Sequence, residues 1–114
     1  MNPTKYLNGL EQKNRELGIK NAEFAELSKK RATAEYAYSV ARAKKTLELK
    51  ADGQPATIIS VLVNGDKHVA QLKMEMDIAD GILKACRESM RNLHGMIDSY
   101  RSTLSWLKAE MGQS

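Results

Sequence analysis

This 114-residue chain is short of most of what staples or fills a small fold. Its one cysteine, Cys86, rules out an internal disulfide, and no Cys and His stand at metal-ligand spacing, so a reducing interior is the expected compartment. One Phe, one Trp and four Tyr are too few to build a broad globular core. No uncharged run is long: GQPATIISVLVNG, residues 53–65, falls short of a bilayer span, and MNPTKYLNGLEQKNREL at the start has no apolar segment of the secretory kind. The expectation is a soluble, cytoplasmic protein of one domain with no membrane partner.

Chemistry is missing too. There is no Gly-rich phosphate loop, no nucleophile turn and no histidine beside an obvious carboxylate, so the chain does not read as an enzyme and calls for no cofactor or metal. His68 and His94 read as solvated or interface residues, and Cys86 as a small core hydrophobe.

What is present is punctuation, periodicity and localised charge. ADGQP at 51–55 puts a glycine where a helix ends and a proline two residues later, so a first long helix should stop there. Asn64-Gly65 reads as a turn and Asp66 as the N-cap of a second long helix. Between them ATIISVLV fits either a strand or two helical turns capped by Thr57. The helix is preferred, because nothing else in the chain could pair with an isolated strand.

From Val69 the apolar residues follow heptad spacing: Leu72, Met76, Ala79, Leu83, Cys86, Met90, Leu93, Ile97, Tyr100, Leu104, Leu107 and Met111. Such a helix is roughly 65–70 Å long at 1.5 Å per residue and needs a partner along its whole length. The first helix supplies one by folding back. Ile78, Ile82, Met96 and Trp106 fall outside the seam and point to a second interface, hence to a homo-oligomer. Leu83, Met90, Leu93, Ile97, Tyr100, Leu104, Trp106 and Leu107 are the candidate oligomer contacts. The fold class is therefore all-α: an antiparallel hairpin of two long helices joined by a short apolar helix or linker and assembled as a coiled-coil-like oligomer, with a loosely packed N-terminal segment over 1–20, a basic helix over 21–52, a linker with a short helix over 53–65 and a long heptad helix over 66–112.

The net charge of +4 arises in one place. Residues 28–52 carry seven basic and three acidic residues, whereas the flanking segments are neutral. On a helix, Tyr36, Val40, Ala43 and Leu47, with Ala32 beside them, form an apolar stripe expected to face the second long helix. On the opposite side Arg31, Tyr38, Arg42 and Lys45 fall together, with Lys30 and Lys44 flanking the stripe. A ridge of cations containing a tyrosine suits single-stranded nucleic acid, because the cations displace phosphate counterions and the ring stacks on any base. A plain solvated helix face accounts for the same residues.

The long basic helix with its Gly-rich stop, NGDKHV at 64–69 and DIADGILKACRESMRNL at 77–93 together resemble the UvsY-type recombination mediators of T-even phages, and the chain is also similar to small helical proteins of phage recombination cassettes. The resemblance covers residues 28–100. It implies an all-helical oligomer, a ring in that family, that binds single-stranded DNA and helps a recombinase displace a single-strand-binding protein. The family's DNA contacts then correspond to Arg42, Lys44 and Lys45, and its assembly helix to the C-terminal helix. The linker PATIISVLV is more apolar than the family's. Two functions compete: a DNA-binding recombination accessory, and a coiled-coil interaction protein, such as a phage adaptor or an inhibitor of a host enzyme, that uses the apolar positions around Trp106.

Overall fold

A computed structural model describes residues 2–112, and over these the chain forms three helices and no strand. Helix α1 spans Pro3–Ala51, α2 Ala56–Gly65 and α3 Lys67–Gly112. The all-α expectation and the helical reading of 56–63 agree with this.

Helix α1 starts earlier than expected. Asn2 caps it by accepting the Thr4 N–H at 3.0 Å, and Pro3 occupies the first turn, where its missing N–H costs nothing. Residues 3–20, expected to pack loosely outside the basic helix, are thus part of one 49-residue helix. They are held by a half-buried stripe, Tyr6, Leu10, Lys13, Leu17, Lys20 and Phe24, spaced by threes and fours. Two of its positions are lysines, which hid the stripe from a hydrophobicity pattern. Long lysine stems can line a seam while their ammonium groups stay at its edge, here beside Glu16 and Glu23 at 3.2 and 3.0 Å.

The break after α1 is built as its residues suggest. Gly53 has φ 80, and the Gly53 and Gln54 N–H groups donate to the Lys50 and Leu49 carbonyls at 3.1 Å each. This is the paired 5→2 and 6→1 bonding of a Schellman ending, and it needs the glycine because a side chain at that φ is strained. Two details of the linker differ from expectation. Pro55, not Thr57, precedes the first turn of α2, and Asn64 and Gly65 stay within α2, so only Asp66 separates it from α3. The aliphatic residues of α2 hold its last turn helical, and Asp66 adopts extended angles to turn the chain. Asp66 does cap α3, its Oδ2 accepting the Val69 N–H at 3.0 Å.

The chain divides into two compact units. One unit pairs α1 up to Ala25 with α3 from Lys84 onward. There Cys86, Leu93, Ile97 and Leu107 are buried, the Cys86 thiol donates to the Lys20 carbonyl at 3.7 Å, and Arg87 lies 5.6 Å from the centre of the Phe24 ring. Tyr6 meets Tyr100 edge-on at 6.4 Å. Gly9 lies directly under Tyr100: a Cβ there would come within 2.6 Å of the ring. The other unit is Glu26–Leu83, in which α2 covers a core of Leu49, Ile59, Val63 and Val69. Among the described residues no helix is long and apolar enough to cross a membrane.

The heptad residues of α3 from Val69 to Leu107 are thus buried or half-buried within the chain, while Met111 is exposed. Leu83, Leu93, Ile97 and Leu107 are buried and Met90, Tyr100 and Leu104 half-buried, and of the expected oligomer contacts Trp106, 57% exposed, is the most open. The reason is the early start of α1, which supplies a partner for the C-terminal part of α3. Leu93→Asp should consequently unfold the chain rather than dissociate it. An unpaired carboxylate in that buried position costs several kcal/mol, and the thermal midpoint followed by circular dichroism should fall by the same amount at every protein concentration. Asp66 supplies a second expectation. The Val69 N–H, opposed in part by burial and aided by Lys45, holds its carboxyl below the ordinary value of 3.8. A lowered folded pKa gives stability that is complete above 3.8 and lost as pH falls through the folded value. Asp66→Ala should melt lower at neutral pH and lose part of the acid sensitivity seen in parallel melts of the parent.

Candidate nucleic-acid interface

Within Glu26–Leu83 the two faces of α1 are exchanged relative to the sequence expectation. Arg31 Nε lies 3.4 Å from Asp80 Oδ1 of α3, and Lys45 Nζ lies 3.6 Å from Asp66 Oδ1. The two pairs are fourteen residues apart along α1 and fourteen apart in the reverse direction toward α3, as an antiparallel pairing in constant register requires. Tyr38 and Ala41 pack against the Leu49, Ile59, Val63 and Val69 core. Arg42 donates to the Asn64 side chain of α2 and, at 3.4 Å, to the Tyr38 hydroxyl. Arg31, Tyr38, Arg42 and Lys45, expected as an outward ridge, therefore look inward. Tyr36 and Leu47, expected to be inward, are 73% and 65% exposed, and Val40 is exposed beside them.

Three features account for the exchange. Ala34 and Ala41 on the inner side let the helices approach. Asp80 and Asp66 stand where the inner cations need acids. The half-buried positions of α1 also recur at seven-residue intervals, Leu10, Leu17, Phe24, Arg31, Tyr38 and Lys45, a phase visible only when the whole helix is read.

Of the six candidate residues, Lys30 and Lys44 are exposed and form no ion pair among the described residues; Lys50 joins them. Lys30 and Lys44 line two open grooves along one edge of α1. The first, about 560 Å³, is bounded by Tyr36, Val40, Lys44 and Lys45 on α1 and by His68, Val69 and Leu72 on α3. The second, about 370 Å³, is bounded by Lys29, Lys30, Thr33 and Ala34 with Glu75. Ala37 lines both, so they form one track past small side chains. Lys30 and Lys44 are fourteen residues, roughly 21 Å, apart along it. The track is not purely cationic: Glu26, Glu48, Asp66 and Glu75 line it beside Lys29, Lys30, Lys44 and Lys45. Lys29, Tyr36 and His68 belong to it and were not candidates. Their signal in the sequence is the row Ala34, Ala37 and Ala41, small residues between basic ones, which leaves a trough.

Among the described residues no three His, Cys, Asp or Glu side chains are placed to hold a metal ion. No family model, curated protein or solved structure matches the chain.

The inward position of Tyr38 carries an expectation. Tyr38→Ala should lower stability by about 2 kcal/mol, since it removes a ring packed on the core and the hydroxyl that Arg42 meets. Tyr36→Ala should leave the melting temperature nearly unchanged. A Tyr36 variant that melts lower than the Tyr38 variant would show that the faces are assigned the wrong way round.

Proposed function

We propose that the chain is a non-enzymatic accessory of phage DNA recombination that binds single-stranded DNA along the track from Lys30 to Lys44, and that it helps load a recombinase in the manner of the mediators its sequence resembles. The observation that carries this reading is the surplus of exposed cations on one helix: α1 holds the whole net charge between residues 28 and 52, and Lys30, Lys44 and Lys50 spend none of theirs on an acid among the described residues. Lys45 is half-exposed beside the track and exchangeable between Glu48 and Asp66, so a phosphate can compete for it. Charge, rather than a stacked tyrosine, supplies the affinity, because the ring expected to stack, Tyr38, is packed inside. Each chain neutralises two or three phosphates, which makes binding weak, tolerant of sequence and strongly dependent on salt. The long–short–long order of helices also agrees with what the resemblance implies.

A second reading, a helical interaction protein without nucleic-acid binding, is favoured by one specific observation, the exposed apolar stripe of Tyr36, Val40 and Leu47. Binding of a labelled single-stranded oligonucleotide, followed by fluorescence anisotropy across a salt series, separates the two. For the first reading the logarithm of affinity should fall with the logarithm of salt at about 0.7 per phosphate neutralised. Lys30→Ala with Lys44→Ala should flatten that slope and weaken binding to all sequences alike, with the circular dichroism melt unchanged. Parent and double variant binding equally at moderate salt would leave the interaction-protein reading.

A further inference from the structure

The outer side of α1 in the Glu26–Leu83 unit carries a stripe that no helix among the described residues covers. Tyr36, Val40, Ala43 and Leu47 are spaced by four, three and four and fall within about 60° of one another around the helix. All four are exposed. A stripe with this spacing is what one helix presents to another, and its charged edges indicate which helix.

We infer that a second copy of the chain covers this stripe, the two α1 helices running antiparallel about a two-fold axis that passes between residues 41 and 42. In that arrangement Tyr36 packs on the partner's Leu47 and Val40 on the partner's Ala43, so each large side chain meets an aliphatic one and the pattern is its own complement. The small residues Ala32 and Ala51 meet at either end. The charges decide the direction. Parallel pairing would set Lys29 and Lys50 each beside its own copy, a like-charge contact at either end of one seam. The antiparallel arrangement offsets these lysines along the axis. It also brings Lys50, which has no ion pair among the described residues, beside the partner's Glu35 on the same edge, once from each copy. Glu35 is half-exposed, and its contact with Arg31 leaves carboxylate lone pairs to accept a second cation. The contact is one helix wide, smaller than the interface of a permanent dimer, so the association is a weak, reversible one.

The inference does not rest on nucleic-acid binding, although Tyr36 and Val40 also border the track, and it is read without DNA, by sedimentation equilibrium of the full chain. The parent should show a monomer–dimer equilibrium in the micromolar range. Leu47→Glu alters an exposed residue and should give a folded monomer, with its helical circular dichroism retained. Lys50→Glu alone sets a new carboxylate against the partner's Glu35, and Glu35→Lys alone sets a new ammonium group against the partner's Lys50, so each should weaken dimerisation by about tenfold or more. An equimolar mixture of the two variants joins unlike charges on one edge of the seam and should form a heterodimer tighter than either variant's own dimer. A parent that stays monomeric at hundred-micromolar concentration would overturn the inference, as would a Leu47→Glu chain that still dimerises, or a mixture no tighter than either variant alone.

Discussion

A cation whose head is drawn into a helix–helix seam must find an anion there or reach out to water, or it loses more in desolvation than its packing returns. Arg31 and Lys45 meet that requirement through Asp80 and Asp66, and within Glu26–Leu83 the rest follows from those two pairs. They set the register of α1 against α3 and fix the rotation of α1 about its own axis. Both are partly exposed, so neither contributes much stability by itself. Their importance is geometric. With α1 turned this way Tyr38 and Ala41 reach the core under α2, and Arg42 reaches Asn64.

The same rotation sorts the remaining residues of α1 into two surfaces. One edge carries Lys30 and Lys44 along a trough made by Ala34, Ala37 and Ala41, the surface proposed to follow a phosphate backbone. The outer side carries Tyr36, Val40, Ala43 and Leu47, the surface assigned to a second copy. The two surfaces adjoin, because Tyr36 and Val40 belong to the stripe and also border the trough on the side of Lys44. Two chains joined through the stripe would carry two tracks, and linked weak sites bind a polymer far more tightly than either does alone.

The ends of the elements have purely local causes. Gly53 adopts a positive φ, and the paired bonds from Gly53 and Gln54 close α1. Asn2 with Pro3 opens α1, and Asp66 opens α3. Each depends on the residue type at one position and its immediate neighbours. The same holds for the heptads of α3, where Val69, Leu83, Leu93, Ile97 and Leu107 are buried as their spacing requires.

What the sequence by itself determined is therefore what local chemistry and period control: three helices in long–short–long order, the stop at Gly53, the cap at Asp66, the seam of α3 and the concentration of positive charge between residues 28 and 52. What only the tertiary structure decided is which side of α1 faces inward. The stretch from 28 to 50 offers two stripes, and the more hydrophobic one, through Tyr36 and Leu47, is the one left outside. Hydrophobicity ranks the stripes by the water they would shed, but the choice depended on partners distant in sequence: Asp80 opposite Arg31, Asp66 opposite Lys45, and the core of Ile59, Val63 and Val69 waiting for Tyr38. The extension of α1 back to Pro3 was hidden for a related reason, since Lys13 and Lys20 occupy seam positions where their stems pack and their ammonium groups pair with Glu16 and Glu23 one turn on. Neither fact shows in the hydrophobicity pattern, because each depends on contacts between residues tens of positions apart.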